Sequence, residues 1–131
     1  MRRHEPSGAE DNKDIRMKLS FIVPPCFDHK QAAERSAGCT RVVYPAPNIY
    51  ELQVAAYLES DIRDTVTYHD FAFHGKSRSD FEAFAASDRS DIYLIWSVNL
   101  SISTDLEAIS IIRRHRPDVP VILMGPGPTH F

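Results

Sequence analysis

Residues 91–98, DIYLIWSV, limit the possible folds more than any other part of the chain. A strand with one wet face alternates apolar and polar residues, and this run is apolar almost throughout. It reads as a central parallel strand buried on both faces. Such a strand needs companions and covering helices, and the flanking sequence supplies both patterns. Residues 17–23, MKLSFIV, stop at Pro24-Pro25 and read as a first strand. Residues 48–60 carry Ile49, Leu52, Ala55, Ala56 and Leu58 mostly at helical spacing, with Asn48 as cap and Glu51 reaching back. Residues 65–71 alternate and form the second strand. Residues 79–82, SDFE, form a capping box that opens a helix with Phe81, Phe84 and Ala85 inward. Residues 104–107, TDLE, form another, opening a helix with Leu106, Ile109 and Ile112 inward. That helix closes in Arg113, Arg114, His115 and Arg116, cations that suit the negative helix end. Residues 119–124 are the fourth strand.

The order β-α-β-α-β-α-β implies right-handed crossovers and a three-layer α/β/α fold of the Rossmann-like or flavodoxin-like kind. The first and third strands are the most apolar, so the expected sheet order is 2-1-3-4. Residues 1–16 begin with basic residues but lack the apolar core of a signal peptide, and are expected to be a disordered tail. Residues 17–131 then form one domain. With 15 basic against 18 acidic side chains, the net charge of -3 points to neither nucleic acid nor membrane. No apolar run approaches bilayer length. Cys26 and Cys39 are the two cysteines, and with no sign of export a reducing cytoplasm is the expected location.

In an open parallel sheet the ligand crevice lies outside the carboxyl ends of the strands, where strand order reverses. Three loops reach that edge. Residues 24–47 are far longer than the roughly 2–6 residues usual between strand and helix, which suggests a binding loop. Ser97, Asn99, Ser101, Ser103 and Thr104 lead into a helix amino terminus, where backbone N–H groups suit an anionic or amide-bearing ligand. Capping explains Thr104 and Ser103 more readily than Asn99 and Ser101. Gly125-Pro126-Gly127-Pro128-Thr129 combines glycines that permit close approach with rigid prolines. Neither a dinucleotide fingerprint nor a phosphate loop is present. Cys26, His29 and Cys39 lack a zinc spacing.

Together these residues resemble the cobalamin-binding domain that precedes the catalytic domain of cobalamin-dependent radical S-adenosylmethionine enzymes. The matching features are Pro24-Pro25, then Pro47-Asn48-Ile49-Tyr50 before Val54-Ala55-Ala56-Tyr57-Leu58, and a second strand reaching Asp70. A strand from Asp91 to Ser97 and the loop after Met124 complete them. Met124 and Gly127 depart from the family, which usually has Gly and often His there. The Asp-x-His-x-x-Gly motif of the other cobalamin-binding group is absent.

The resemblance implies cobalamin bound base-off without a histidine ligand, its nucleotide tail between sheet and helices. It implies cofactor contacts from Pro25, Cys26, Asn48, Tyr50, Ser97, Asn99, Ser101, Gly125, Gly127 and Thr129. Family domains continue into a fifth strand and a catalytic domain with an iron–sulfur cluster and S-adenosylmethionine. These are expected only in a partner, so the chain alone is not expected to be catalytic. Self-association through an exposed sheet edge is a further expectation. The rivals are a cofactor-free flavodoxin-like interaction or signalling domain and a non-functional fragment. A signalling receiver would carry acidic residues after its first strand, where this chain has Val23-Pro24-Pro25.

Overall fold

The computed structural model describes residues 16–27, 47–61 and 65–128. All but the last residue of the expected tail, together with His29, Cys39 and Thr129, lies outside them, as does most of the long loop after the first strand.

Four short apolar segments become strands: β1 (Lys18–Val23), β2 (Thr65–Asp70), β3 (Ile92–Trp96) and β4 (Val121–Met124). All pairings are parallel and the order is β2-β1-β3-β4, as expected. The register sets Phe21 beside Tyr68 and Leu94, and Trp96 beside Met124. Three helices alternate with the strands: α1 (Ile49–Asp61), α2 (Arg78–Ser87) and α3 (Ile102–His115). The first crossover steps one way along the sheet and the next two step the other way. Crossovers of one hand therefore put α1 on one face and α2 with α3 on the opposite face.

Because side chains alternate along a strand, each strand feeds two cores. On the α1 face Leu19, Phe21, Ala55 and Leu94 pack together, joined by Val54, Leu58 and Tyr68. On the other face Ile22, Phe27, Phe81, Tyr93, Ile95, Ile111 and Ile112 form the larger cluster. Phe71 meets Phe81 and Phe84 edge to face, with centroids 5.0 and 5.2 Å apart. No helix among the described residues is long and apolar enough to cross a membrane.

Three local expectations are corrected. The cap of α2 is Ser77, two residues before the expected Ser79. Its side chain accepts from the Asp80 N–H, and the Asp80 carboxylate accepts from the Ser77 N–H at 2.8 Å. Pattern alone could not separate the two serines, since either has an acid three residues on. We expect Ser77→Ala to cost about 1 kcal/mol in a denaturant melt, and Ser79→Ala much less. Helix α3 starts at Ile102, so Thr104 is already inside its first turn. Leu106, expected inward, is 51% exposed, and the buried stripe is Asp105, Ala108, Ile111 and Ile112. The cap is Ser101 rather than Thr104, three residues earlier, and a carboxylate rather than a leucine faces inward.

Candidate functional site

At the carboxyl edge, β1 hands the chain towards α1 on one face while β3 hands it to α3 on the other. The crevice between them is the switch point of a doubly wound sheet. Pro24 and Pro25 leave β1 buried, and Cys26 is half-buried. Phe27 then anchors the chain with 3% exposure. Its ring meets Phe81 edge to face at 6.0 Å and carries the Arg78 guanidinium 4.9 Å above its centroid. Arg78 also pairs with Glu107, tying the start of α2 to α3.

From the α1 side, Asn48 is buried and its Oδ1 accepts from the N–H groups of Tyr50 and Glu51 at 3.1 and 3.4 Å. Asn48 is therefore the cap that the sequence indicates. The Glu51 side chain does not stay at the helix surface but is fully buried beside Tyr68. Burial, followed by the charges of Glu51 and Asp70, pushes the Tyr68 phenol well above its ordinary range. Tyr50 stacks on Trp96, centroids 5.9 Å apart and planes at 14°. Trp96, the only tryptophan of the chain, thus spans from the end of β3 to the start of α1.

Ser97 sits under the loop that follows β4. Its N–H donates to the Met124 carbonyl at 2.8 Å, and its carbonyl accepts from the Gly127 N–H at 2.9 Å. Its hydroxyl is fully buried and has no hydrogen-bond partner among the described residues. A β-carbon at Gly127 would fall 2.9 Å from the Ser97 carbonyl oxygen and 3.0 Å from its hydroxyl. At Gly125, which has φ +96°, it would fall 2.9 Å from both that oxygen and Cε2 of Trp96. Both glycines are explained by the close approach of the chain to itself, a use of glycine the sequence leaves indistinguishable from approach to a ligand.

The polar residues after β3 divide sharply. Ser101 is consumed internally: its hydroxyl accepts from the Val98 N–H at 3.1 Å and donates to the buried Asp105 carboxylate at 2.7 Å. With Asp105 in the first turn, the positive end of α3 already faces a carboxylate, so this terminus disfavours an anion. Asn99 is exposed beside Leu100, which is 50% exposed. The structure thus gathers Ser97, Gly125 and Gly127 directly, and links Tyr50 to them through Trp96. Pro25 and Cys26 stand where β1 exits. Trp96, Glu51 and Asp105 were not among the expected site residues. The serine–aspartate spacing of four residues at 101 and 105 is the one signal that would have indicated the Asp105 contact.

Among the described residues no group of three or more His, Cys, Asp or Glu side chains is placed to hold a metal ion. No protein family, curated protein or solved structure matches the chain.

Proposed function

We propose that this chain is a cobalamin-binding module, taking the amide-bearing rim or nucleotide tail of the corrin at the crevice between β1 and β3. The observation that carries the reading is the buried Ser97 hydroxyl at the switch point, which lacks a partner among the described residues. A buried hydroxyl without a hydrogen bond costs about 1–3 kcal/mol, so an amide admitted by a shift of the Gly125–Gly127 loop that covers it would recover that cost. The exposed Asn99 carboxamide supplies a second group of matching chemistry at the rim. An uncharged amide suits a helix terminus already facing Asp105 better than a phosphate does. Bound cobalamin would supply the organometallic chemistry of methyl transfer or radical rearrangement. This chain's part is to hold and orient it, with an iron–sulfur and S-adenosylmethionine domain on a partner, in a cytoplasmic enzyme.

A second reading is a cofactor-free flavodoxin-like interaction domain. It is favoured by the Tyr50–Trp96 stack and the Ser101–Asp105 bond, which commit crevice groups to the protein itself.

One titration separates the two. Trp96 lies in the crevice, and its emission overlaps the near-ultraviolet absorption of a corrin. Hydroxocobalamin is expected to quench that emission saturably, and the colour to survive desalting. The double change Ser97→Ala, Asn99→Ala should weaken binding about tenfold or more, equivalent to about 1.4 kcal/mol or more. Ser97→Ala alone should leave the melting temperature unchanged or raise it, because it removes a buried unpartnered hydroxyl. Linear, non-saturating quenching with no retained colour rejects the cobalamin reading in favour of the second.

A further inference from the structure

Among the described residues β2 lies at the edge of the sheet, with β1 as its only strand partner. Thr65 N–H donates to the Met17 carbonyl and Phe71 N–H to the Val23 carbonyl, so the odd positions of β2 face β1. The backbone groups of Val66 and Tyr68 therefore point away from the sheet. Free donors and acceptors on an edge are a template for another strand, and edges are commonly blunted by Lys or Pro. The six residues of β2, TVTYHD, contain neither.

Two hollows flank this edge. One, of 170 Å³, lies between α1 and β2, walled by Leu52, Ala55, Ala56 and Val66, with Glu59 at its margin. The alanines make it: longer side chains there would close the gap between helix and strand. The other, of 220 Å³, lies at the carboxyl end of β2 and is lined by His69, Phe71, His74 and Lys76. Tyr68 lines both, so they are consecutive stations along one edge. Asp70 also borders the second hollow, but its Oδ1 is held by the Phe73 N–H at 2.8 Å within the following turn. His69 Nε2 is engaged with the Thr67 hydroxyl at 3.2 Å, so the Lys76 ammonium and the exposed His74 imidazole are left to select what approaches. Strand addition uses this combination, with main-chain bonds for affinity and flanking pockets for specificity.

We propose that the outer edge of β2 captures an extended segment of a partner protein by strand addition. An apolar side chain of that segment occupies the alanine-walled hollow, and an acidic one meets His74 and Lys76. The charge complementarity is what distinguishes this edge from β4. Residues Val121–Met124 also form an edge, but the hollow at their amino end sets Asp91 and Asp118 against His115 and Arg116, so it favours neither charge. The inference is independent of the crevice between β1 and β3 and stands or falls separately.

The test uses the whole chain and two fluorescein-labelled heptapeptides of alternating valine and threonine, one with glutamate at both ends and one with lysine at both ends. Having the charge at both ends makes the result insensitive to strand direction. The glutamate peptide is expected to bind, and Lys76→Glu to weaken it about tenfold while strengthening the lysine peptide. His74 and Lys76 are exposed, so the variant keeps its fold, which a thermal melt verifies. Methylating the peptide amide nitrogens that would face β2 should abolish binding, because those bonds carry the affinity. Equal binding of the two peptides, indifference to amide methylation, or no binding of either at about millimolar concentration would overturn the proposal.

Discussion

Gly125→Val is expected to be among the most destabilising single changes in the chain. Two costs act together at this position. The backbone has φ +96°, a region that β-branched residues strongly avoid, worth about 1–3 kcal/mol. The new β-carbon also meets the Ser97 carbonyl oxygen and the Trp96 ring at 2.9 Å, and neither can withdraw easily. The first is backbone held by the Gly127 N–H, and the second is fixed against Tyr50. Overpacking of this kind adds about 1–3 kcal/mol. The sum is a large share of the roughly 5–15 kcal/mol that a domain possesses, so a melting temperature lowered by about 10 °C or more is expected. Gly75 supplies the control. It has φ +59°, but a β-carbon there meets nothing within 4 Å, so Gly75→Asn should be mild. Gly127→Ala isolates the crowding, because the positive backbone angle is absent there. If Gly125→Val melts within a few degrees of wild type, the loop does not pack on Ser97 as described. The same result bears on function: a loss of cobalamin binding in this variant would report unfolding rather than a contact with the ligand. Ser97→Ala is therefore the sharper probe of the crevice.

The difference between these two probes shows what could and could not be read from residues alone. Periodicity made the strands, their order and the location of the crevice legible, because burial on both faces leaves a continuous apolar run in β3 and alternation in β2. It did not reveal which polar groups at the crevice are already spoken for. Ser97 and Ser101 are both serines following one strand, yet one hydroxyl is buried without a partner among the described residues while the other is locked to Asp105. That division depends on where α3 begins, which capping patterns alone do not fix: the cap is Ser101, three residues before Thr104. Leu106 faces outward and Asp105 inward. Composition suggests Gly125 and Gly127 as positions where a ligand comes close to the backbone. Only coordinates show that what approaches is the chain's own Ser97 and Trp96.

Asp88→Ala should produce a loss of comparable size at the opposite edge of the sheet, and one that depends on pH. The Asp88 side chain is 7% exposed and accepts from Lys18 Nζ at 2.7 Å, the Ser90 N–H at 2.8 Å and the Tyr93 hydroxyl at 2.8 Å. These bonds are not equivalent. Lys18 is 37% exposed, so solvent screens its pairing and Lys18→Met should cost less than about 1 kcal/mol. Tyr93 is fully buried, and losing its acceptor strands a hydroxyl inside the larger core. Removing the carboxylate is therefore expected to cost about 3 kcal/mol at neutral pH, mostly through Tyr93 and Ser90. Burial alone would raise the Asp88 carboxyl, but the bonds from Lys18, Ser90 and Tyr93 outweigh it and hold the group far below the usual carboxylate range. A depressed folded-state value contributes stability above the unfolded value of about 4, and that contribution is lost as pH falls below it. Wild type should accordingly weaken on acidification through that window, while Asp88→Asn, already lacking the charge, should show a flatter acid limb. Tyr93 acts at the other end of the scale. Burial first, and then the bond to Asp88, pushes its phenol up to about 12. A raised value means that its contribution is complete below about 10 and is lost as pH rises towards 12, so Tyr93→Phe should flatten the alkaline limb. The measurement is a set of urea melts from acid to alkaline pH on wild type, Asp88→Asn and Tyr93→Phe. Parallel stability curves for wild type and Asp88→Asn below pH about 4 would show that the carboxylate is not the acceptor holding this edge together.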